Sequence, residues 1–219
     1  RAGVKRTVII STDKAVNPSS IMGASKCIAE RVVSGLGVGF LAVRFGNVLD
    51  TAGSVFPLWR EQIAQGGPVT VTDPACTRYF MSIDDACTLI LETLAFPSDH
   101  GTFVFDMGAP RNMMAMAEAL IAESGQPCLI QTTGLRPGEK LTEELTEGQR
   151  TPTAHQRIFE VPAAPPLAQD DPGLLRLIGV AHQADNDAAR VRVWQVVTAP
   201  TERPKVPTRA WKPKVEPVT

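Results

Sequence analysis

Aromatic residues make up only 5% of this 219-residue chain, Tyr79 is its single tyrosine, and no basic run accompanies them. Without base-stacking aromatics set among Lys and Arg, and with a formal net charge of −1, nucleic acid is not an expected partner. Cysteine is sparse as well: Cys27, Cys76, Cys87 and Cys128 stand far apart, with no CxxC pair and no histidine at metal-ligand spacing. That pattern argues against a zinc site, so no metal is expected, and it predicts buried free thiols in a reducing compartment. No apolar run approaches the roughly 20 residues that span a bilayer. Nor does a basic segment followed by an apolar one open the chain, as a secretory signal would. The chain begins at Arg1 rather than Met and runs at once into a strand pattern, so it reads as a piece of something longer.

Hydrophobic residues amount to 43%, enough to bury a core in a chain of this size. Val8 to Ser11 is a short β-branched run after a Lys-Arg pair, the texture of a buried parallel strand at its rim. From Pro18 to Val33 apolar residues recur at helical spacing until Gly35 and Gly37 end the pattern. Phe40 to Arg44 is the next strand, and strand, helix, strand over about 45 residues fits one crossover unit of a parallel sheet. The alternation continues with a helix over Phe56 to Ala64, a break at Gly66-Gly67-Pro68 and a strand over Val69 to Val71. A helix over Ile83 to Ala95 with Ser82 as N-cap comes next, then a strand over Thr102 to Asp106 and a helix over Met113 to Ser124 closed by Gly125. The pattern predicts an α/β fold built on a parallel sheet. Beyond Glu147 prolines break the pattern: residues 148–199 read as an irregular extension with one helix around Asp185 to Val197, and residues 200–219 as a disordered Pro-rich tail.

Two clusters carry chemistry. Ser11-Thr12-Asp13-Lys14 directly follows the first strand, at the carboxyl edge of a parallel sheet, where ligands of open α/β folds bind. A carboxylate beside an ammonium supplies a proton donor and a proton acceptor where burial and neighbours adjust them, although a solvated loop pair has the same sequence. Met22-Gly23-Ala24-Ser25-Lys26 follows, with Lys26 one helical turn after Met22 and on the same face. The plain reading of these two is a core methionine and a lysine on a solvated helix face.

The run from Ser11 through Ala15-Val16-Asn17-Pro18, with Met22 to Lys26, resembles the polysaccharide-biosynthesis dehydratases of the UDP-N-acetylglucosamine 4,6-dehydratase family, which are extended short-chain dehydrogenases. Their large, membrane-anchored branch carries Met where other short-chain dehydrogenases carry the Tyr of Tyr-x-x-x-Lys. Three later runs agree: Arg44 to Leu49, Thr77 to Met81, and Gly134 to Leu141. The resemblance covers residues 4 to about 147 and implies the C-terminal part of a Rossmann-like doubly wound parallel sheet with a small α/β substrate-binding region. Residues 1–147 are then the C-terminal portion of the catalytic domain with its substrate-binding segments. It implies a lyase that converts a UDP-N-acetylglucosamine-like UDP-sugar to a 4-keto-6-deoxy sugar with NAD or NADP, a homo-oligomer when complete. The implied location is the cytoplasm, or the cytoplasmic face of the bacterial inner membrane given an upstream anchor.

Residue by residue, the resemblance implies that Thr12 hydrogen-bonds the hexose, Asp13 acts as acid and Lys14 as base, with Met22 packed in the place of the tyrosine. Lys26 would hold the nicotinamide ribose, and Ser11 and Phe45 would line the coenzyme site. Asn47, Arg78 and Arg136 would face the diphosphate, since guanidinium forks suit phosphate oxygens, and Glu139 the nucleotide ribose. Arg44, inside a strand, reads as structural, and for Arg78, Arg136 and Glu139 a structural ion pair is the alternative. The sequence departs from the family in two places. Asp50-Thr51 stand where Gly and Ser commonly follow Asn47-Val48-Leu49. No Gly-x-x-Gly-x-x-Gly follows any strand, so the loop that holds a coenzyme pyrophosphate is not in this chain. Two other readings stay open: an epimerase or reductase on the same scaffold, and an inert fragment or interaction module with an exposed sheet edge.

Overall fold

Thr7–Ile10 and Phe40–Arg44 form strands β1 and β2, which lie side by side and parallel with Thr7 opposite Phe40. Helix α1, Ile21–Leu36, connects them. It starts where Ser20 Oγ accepts the Gly23 N–H, satisfying a first-turn donor that has no carbonyl partner, and it ends at Gly37, whose φ of 78° only glycine adopts readily. These features come from a computed structural model that describes residues 4–98, 100–182 and 186–199. The predicted tail over residues 200–219 lies outside the described residues.

The chain continues through β3 (Asn47–Val48), α2 (Val55–Ala64), β4 (Val69–Val71), β5 (Thr77–Arg78), β6 (Phe80–Met81) and α3 (Ile83–Leu94). Next come β7 (His100–Phe105), β8 (Arg111–Asn112), α4 (Met113–Ser124), β9 (Ile130–Thr132), β10 (Thr151–Pro152), β11 (Ile158–Val161), α5 (Pro172–His182) and α6 (Asn186–Thr198). Helix caps follow the expected chemistry. Ser82 Oγ accepts from Asp85 N at α3, whose first turn carries Asp84 and Asp85 against the positive helix end, and Gly125 closes α4 at φ 67°.

The main sheet has the order β1-β2-β7-β11-β10. The β1–β2 and β2–β7 pairs are parallel, as the alternation predicts, while β11 runs antiparallel to β7 and β10 antiparallel to β11. Strand β1 is at the edge. Leu41, Val43, Phe103, Phe105 and Ile158 are essentially inaccessible, and α3 packs Ala86 and Leu89 against this layer. Burying each such large side chain stabilises the fold by about 1.5–3 kcal/mol. A second, smaller core lies where α2 and α4 meet the parallel pair β4–β9, around Phe56, Trp59, Val69, Val71 and Met113. This is the appended α/β region of the expected fold class.

Two expectations need correcting. Residues 148–199 are more regular than their prolines suggest: β11 is integral to the main sheet, and α5 and α6 form two helices where one was expected. These helices bury Leu174, Val193 and Val196 against Ala24 and Ile28 of α1, and Arg31 of α1 reaches the Val196 carbonyl at 2.6 Å and the Pro165 carbonyl at 3.1 Å. A guanidinium on the last carbonyls of α6 satisfies acceptors that no helix turn can. Of the four thiols only Cys76 is buried; Cys27 and Cys128 are half-buried and Cys87 is exposed. Among the described residues no helix is long and apolar enough to cross a membrane.

Candidate active site

Past the last residue of β1, the chain keeps its register with β2: Ser11 N donates to the Val43 carbonyl and Asp13 N to the Phe45 carbonyl. Asp13–Ala15 then makes a single 3-10 turn, capped by Thr12, whose Oγ1 accepts from Lys14 N. The extended strand and the tight turn together aim Asp13 inward. Its side chain is fully buried, and its Oδ1 accepts from Thr12 Oγ1 at 2.8 Å and from Lys14 Nζ at 2.9 Å, whereas Oδ2 has no partner. Close packing holds the carboxyl there: a Cβ on Gly46 would lie 2.8 Å from Tyr79 Cβ and 3.2 Å from Asp13 Oδ2.

Lys14 Nζ is the hub. Besides Asp13 it lies 3.3 Å from Asn47 Oδ1, to which it donates, and 3.9 Å from Glu143 Oε1. Thr12, Asp13, Lys14 and Asn47 therefore converge, and Glu143, which sequence reasoning missed, joins them. Glu143 is 4% exposed, and its Oε2 has no hydrogen-bond partner. Burial pushes its carboxyl above the usual glutamate range; Lys14 pulls it back and Asp13 adds to the rise.

The α1 residues reach the same end of β1. Gly23 sits so close to the turn that an added Cβ would lie 2.1 Å from the Lys14 carbonyl oxygen. Lys26 Nζ donates to the Ile10 carbonyl at 3.1 Å. Met22 is 48% exposed, so the core-methionine reading fails, and Ile10 in the edge strand β1 is exposed as well.

The other expected contacts lie elsewhere. Ser11 is turned away from this cluster: its hydroxyl donates to Glu30 Oε1, and Glu30 is bound through both oxygens by Arg44, all three buried. Arg44 and Ser11 thus share one buried hydrogen-bond network through Glu30. The Phe45 ring is buried and stacked on Phe105 at a centroid distance of 5.5 Å. Arg78 is 5% exposed and spans the Thr77 and Leu141 carbonyls and Glu139 Oε1, the last at 2.8 Å. The ion-pair alternative thus describes Arg78 and Glu139 in this structure. Glu139 Oε2 also accepts from the Arg136 backbone, leaving the Arg136 side chain exposed. The loop carrying them is fastened to the segment before α1, with Ser19 Oγ on the Gly138 carbonyl and Lys140 Nζ on the Val16 carbonyl. Asp50 stands at φ 56°, a conformation that glycine adopts freely and Asp tolerates, and its exposed carboxylate pairs with Arg60.

The model of a family described as polysaccharide biosynthesis protein matches residues 1–163. The probable polysaccharide biosynthesis protein EpsC of Bacillus subtilis is 40% identical over 92% of this chain and 35% of its own length. The capsular polysaccharide biosynthesis protein CapD of Staphylococcus aureus is 51% identical over 65% of the chain and 25% of its own length. A UDP-glucose 4-epimerase of Rickettsia canadensis is 36% identical over 67% of the chain and 45% of its own length. The chain thus spans about a third or less of the first two relatives. Among solved structures, Pen from Bacillus thuringiensis superposes with a TM-score of 0.66 at 33% identity, over 75% of this chain and 54% of that one. The dTDP-glucose 4,6-dehydratase DesIV from Streptomyces venezuelae, solved with NAD and TYD bound, shares the fold with a TM-score of 0.58 at 22% identity, over 66% and 52% of the two chains. Family model and relatives agree, and the chain belongs to the polysaccharide biosynthesis protein family, with the Rossmann-like fold of the extended short-chain dehydrogenases.

Proposed function

We propose that the protein containing this chain is a nucleotide-sugar 4,6-dehydratase acting on a UDP-N-acetylglucosamine-like substrate. The observation that carries this reading is the buried Asp13 carboxyl held 2.9 Å from the Lys14 amine at the carboxyl end of β1. Dehydration across C5 and C6 needs a base for the C5 proton and an acid for the departing C6 hydroxyl, close to each other and shielded from water. Lys14 in its amine form takes the C5 proton; Asp13 in its acid form gives its proton to the C6 oxygen, which leaves as water. Lys14 exchanges its protons with solvent and delivers one to C5 at the end, as hydride reaches C6. Thr12, already donating to Asp13 Oδ1, is the nearest hydroxyl able to pass the C4 hydroxyl proton to that carboxyl. Asn47 holds the Lys14 amine in place. Arg136, exposed on the loop above, is the cation left for the diphosphate.

The coenzyme fits in part. Lys26 has one donor on the Ile10 carbonyl and others to offer, and Met22 and Ile10 present apolar surface beside it. That combination suits the nicotinamide riboside end, with Lys26 holding the ribose; the pyrophosphate end has no glycine loop in this sequence to hold it. When bound, NAD or NADP would accept hydride from C4, acidifying the C5 proton, and give it back at C6.

The epimerase relative supports a second reading, inversion at C4. Met22 counts against it, because a thioether neither donates nor accepts the hydroxyl proton that the tyrosine of epimerases handles. Mass spectrometry of the product formed from UDP-N-acetylglucosamine by the full-length protein separates the two. Loss of one water is the expected result, whereas an isomer of unchanged mass would establish epimerisation.

A further inference from the structure

The geometry points to Glu143 as a positioning residue for Lys14, a third proton-carrying group of the site that must itself be protonated for the Asp13–Lys14 pair to work. This rests on the dehydratase reading and extends it. Glu143 is 4% exposed, its Oε1 lies 3.9 Å from Lys14 Nζ, and its Oε2 has no hydrogen-bond donor, a costly arrangement for an ionised carboxylate and a much cheaper one for a neutral acid. The charged groups facing it are Lys14 and Asp13 from the turn after β1, Arg78 from β5, and Lys140 from the loop before it. Its carboxyl is held up first by burial and further by Asp13, against the pull of Lys14, Arg78 and Lys140. A hexose seated over the cluster removes more water and favours the neutral form again.

The consequence follows from counting protons. With Glu143 neutral, the one proton that Asp13 and Lys14 share at the 4-ketone stage, the one taken from the C4 hydroxyl, can rest on Asp13, which leaves carboxylic acid and amine, the form that dehydration uses. With Glu143 ionised, two carboxylates surround one amine, the shared proton stays on Lys14 as ammonium, and the site has neither acid nor base. Raising the pH through the Glu143 ionisation therefore switches the enzyme off. Glu143→Gln keeps the neutral form at every pH.

Two measurements test this. In the full-length enzyme, the alkaline limb of the kcat profile for UDP-N-acetylglucosamine should move to higher pH in Glu143→Gln, each unit of displacement reading as about a tenfold gain over wild type on that side. Superimposable limbs would overturn the role. In this chain with 13C at the glutamate side-chain carboxyls, the Glu143 resonance should titrate above the other glutamates. Its midpoint should rise further in Lys14→Met, which removes a cation, and fall in Asp13→Asn, which removes a neighbouring anion. A Glu143 midpoint among the surface glutamates, or one indifferent to both substitutions, would overturn the coupling even if Glu143→Gln failed to fold. A product other than the 4-keto-6-deoxy sugar would instead defeat the dehydratase reading and leave the titration to judge Glu143.

Discussion

Gly23 stands where the first turn of α1 touches the backbone carrying Lys14, and the 2.1 Å that a Cβ would leave to the Lys14 carbonyl admits no side chain. Gly23→Ala must push the helix start away from the turn, at a cost of about 1–3 kcal/mol typical of overpacking. A lowered melting temperature together with a loss of kcat is expected, and an unchanged value of both would show that the contact does not position the turn. Gly46 beside Asp13 Oδ2, and Gly138 with a Cβ position 2.5 Å from the Ser19 carbonyl, follow the same logic. The Asp13-Lys14 pair stood out in the sequence through the family resemblance, since a solvated loop pair has the same residues. Glu143 did not, because Glu143-Glu144 with Glu147 nearby has the composition of a solvated face. Its burial arises from tertiary structure, where the chain at Thr142 bridges to Thr77 and turns the next residue inward.

Among the elements, β1, α1 and β2 are joined by the buried chain Ser11–Glu30–Arg44, one group from each or from the residue just after it. Replacing Arg44 by Met leaves the Glu30 carboxylate buried without its cation, and a loss of about 3–5 kcal/mol in denaturant unfolding is expected. Adding Glu30→Met should recover part of that loss, since the pair also carries the cost of burying its charges; no recovery would mean that Arg44 acts mainly through packing. The helices and longer strands before residue 125 were legible because periodicity and caps agree there, Ser82 and Gly125 acting as their positions suggest, whereas the two-residue strands β3, β5, β6 and β8 are too short to show a period. Strand β11 was obscured by flanking prolines, and only its pairing with β7 makes it a strand. Helix α5 did carry a signal, Asp171-Pro172-Gly173, in which Asp171 Oδ1 accepts from the Gly173 and Leu174 N–H groups and Pro172 opens the helix.

At the scale of the whole molecule, the parallel strands bring Asp13, Lys14 and Lys26 to one end of β1, while the smaller α/β region and its loop fold over the same end through Arg78, Glu139 and Lys140. Both groups thus meet at the carboxyl end of β1, the outer strand of the main sheet. The most direct measurement is NMR of the sugar product formed in D2O by the full-length protein and by its Lys14→Ala variant, since the amine is assigned the C5 proton. The account predicts one deuterium at C5 with wild type and neither exchange at C5 nor product with the variant. Full deuterium incorporation at C5 by Lys14→Ala would contradict it.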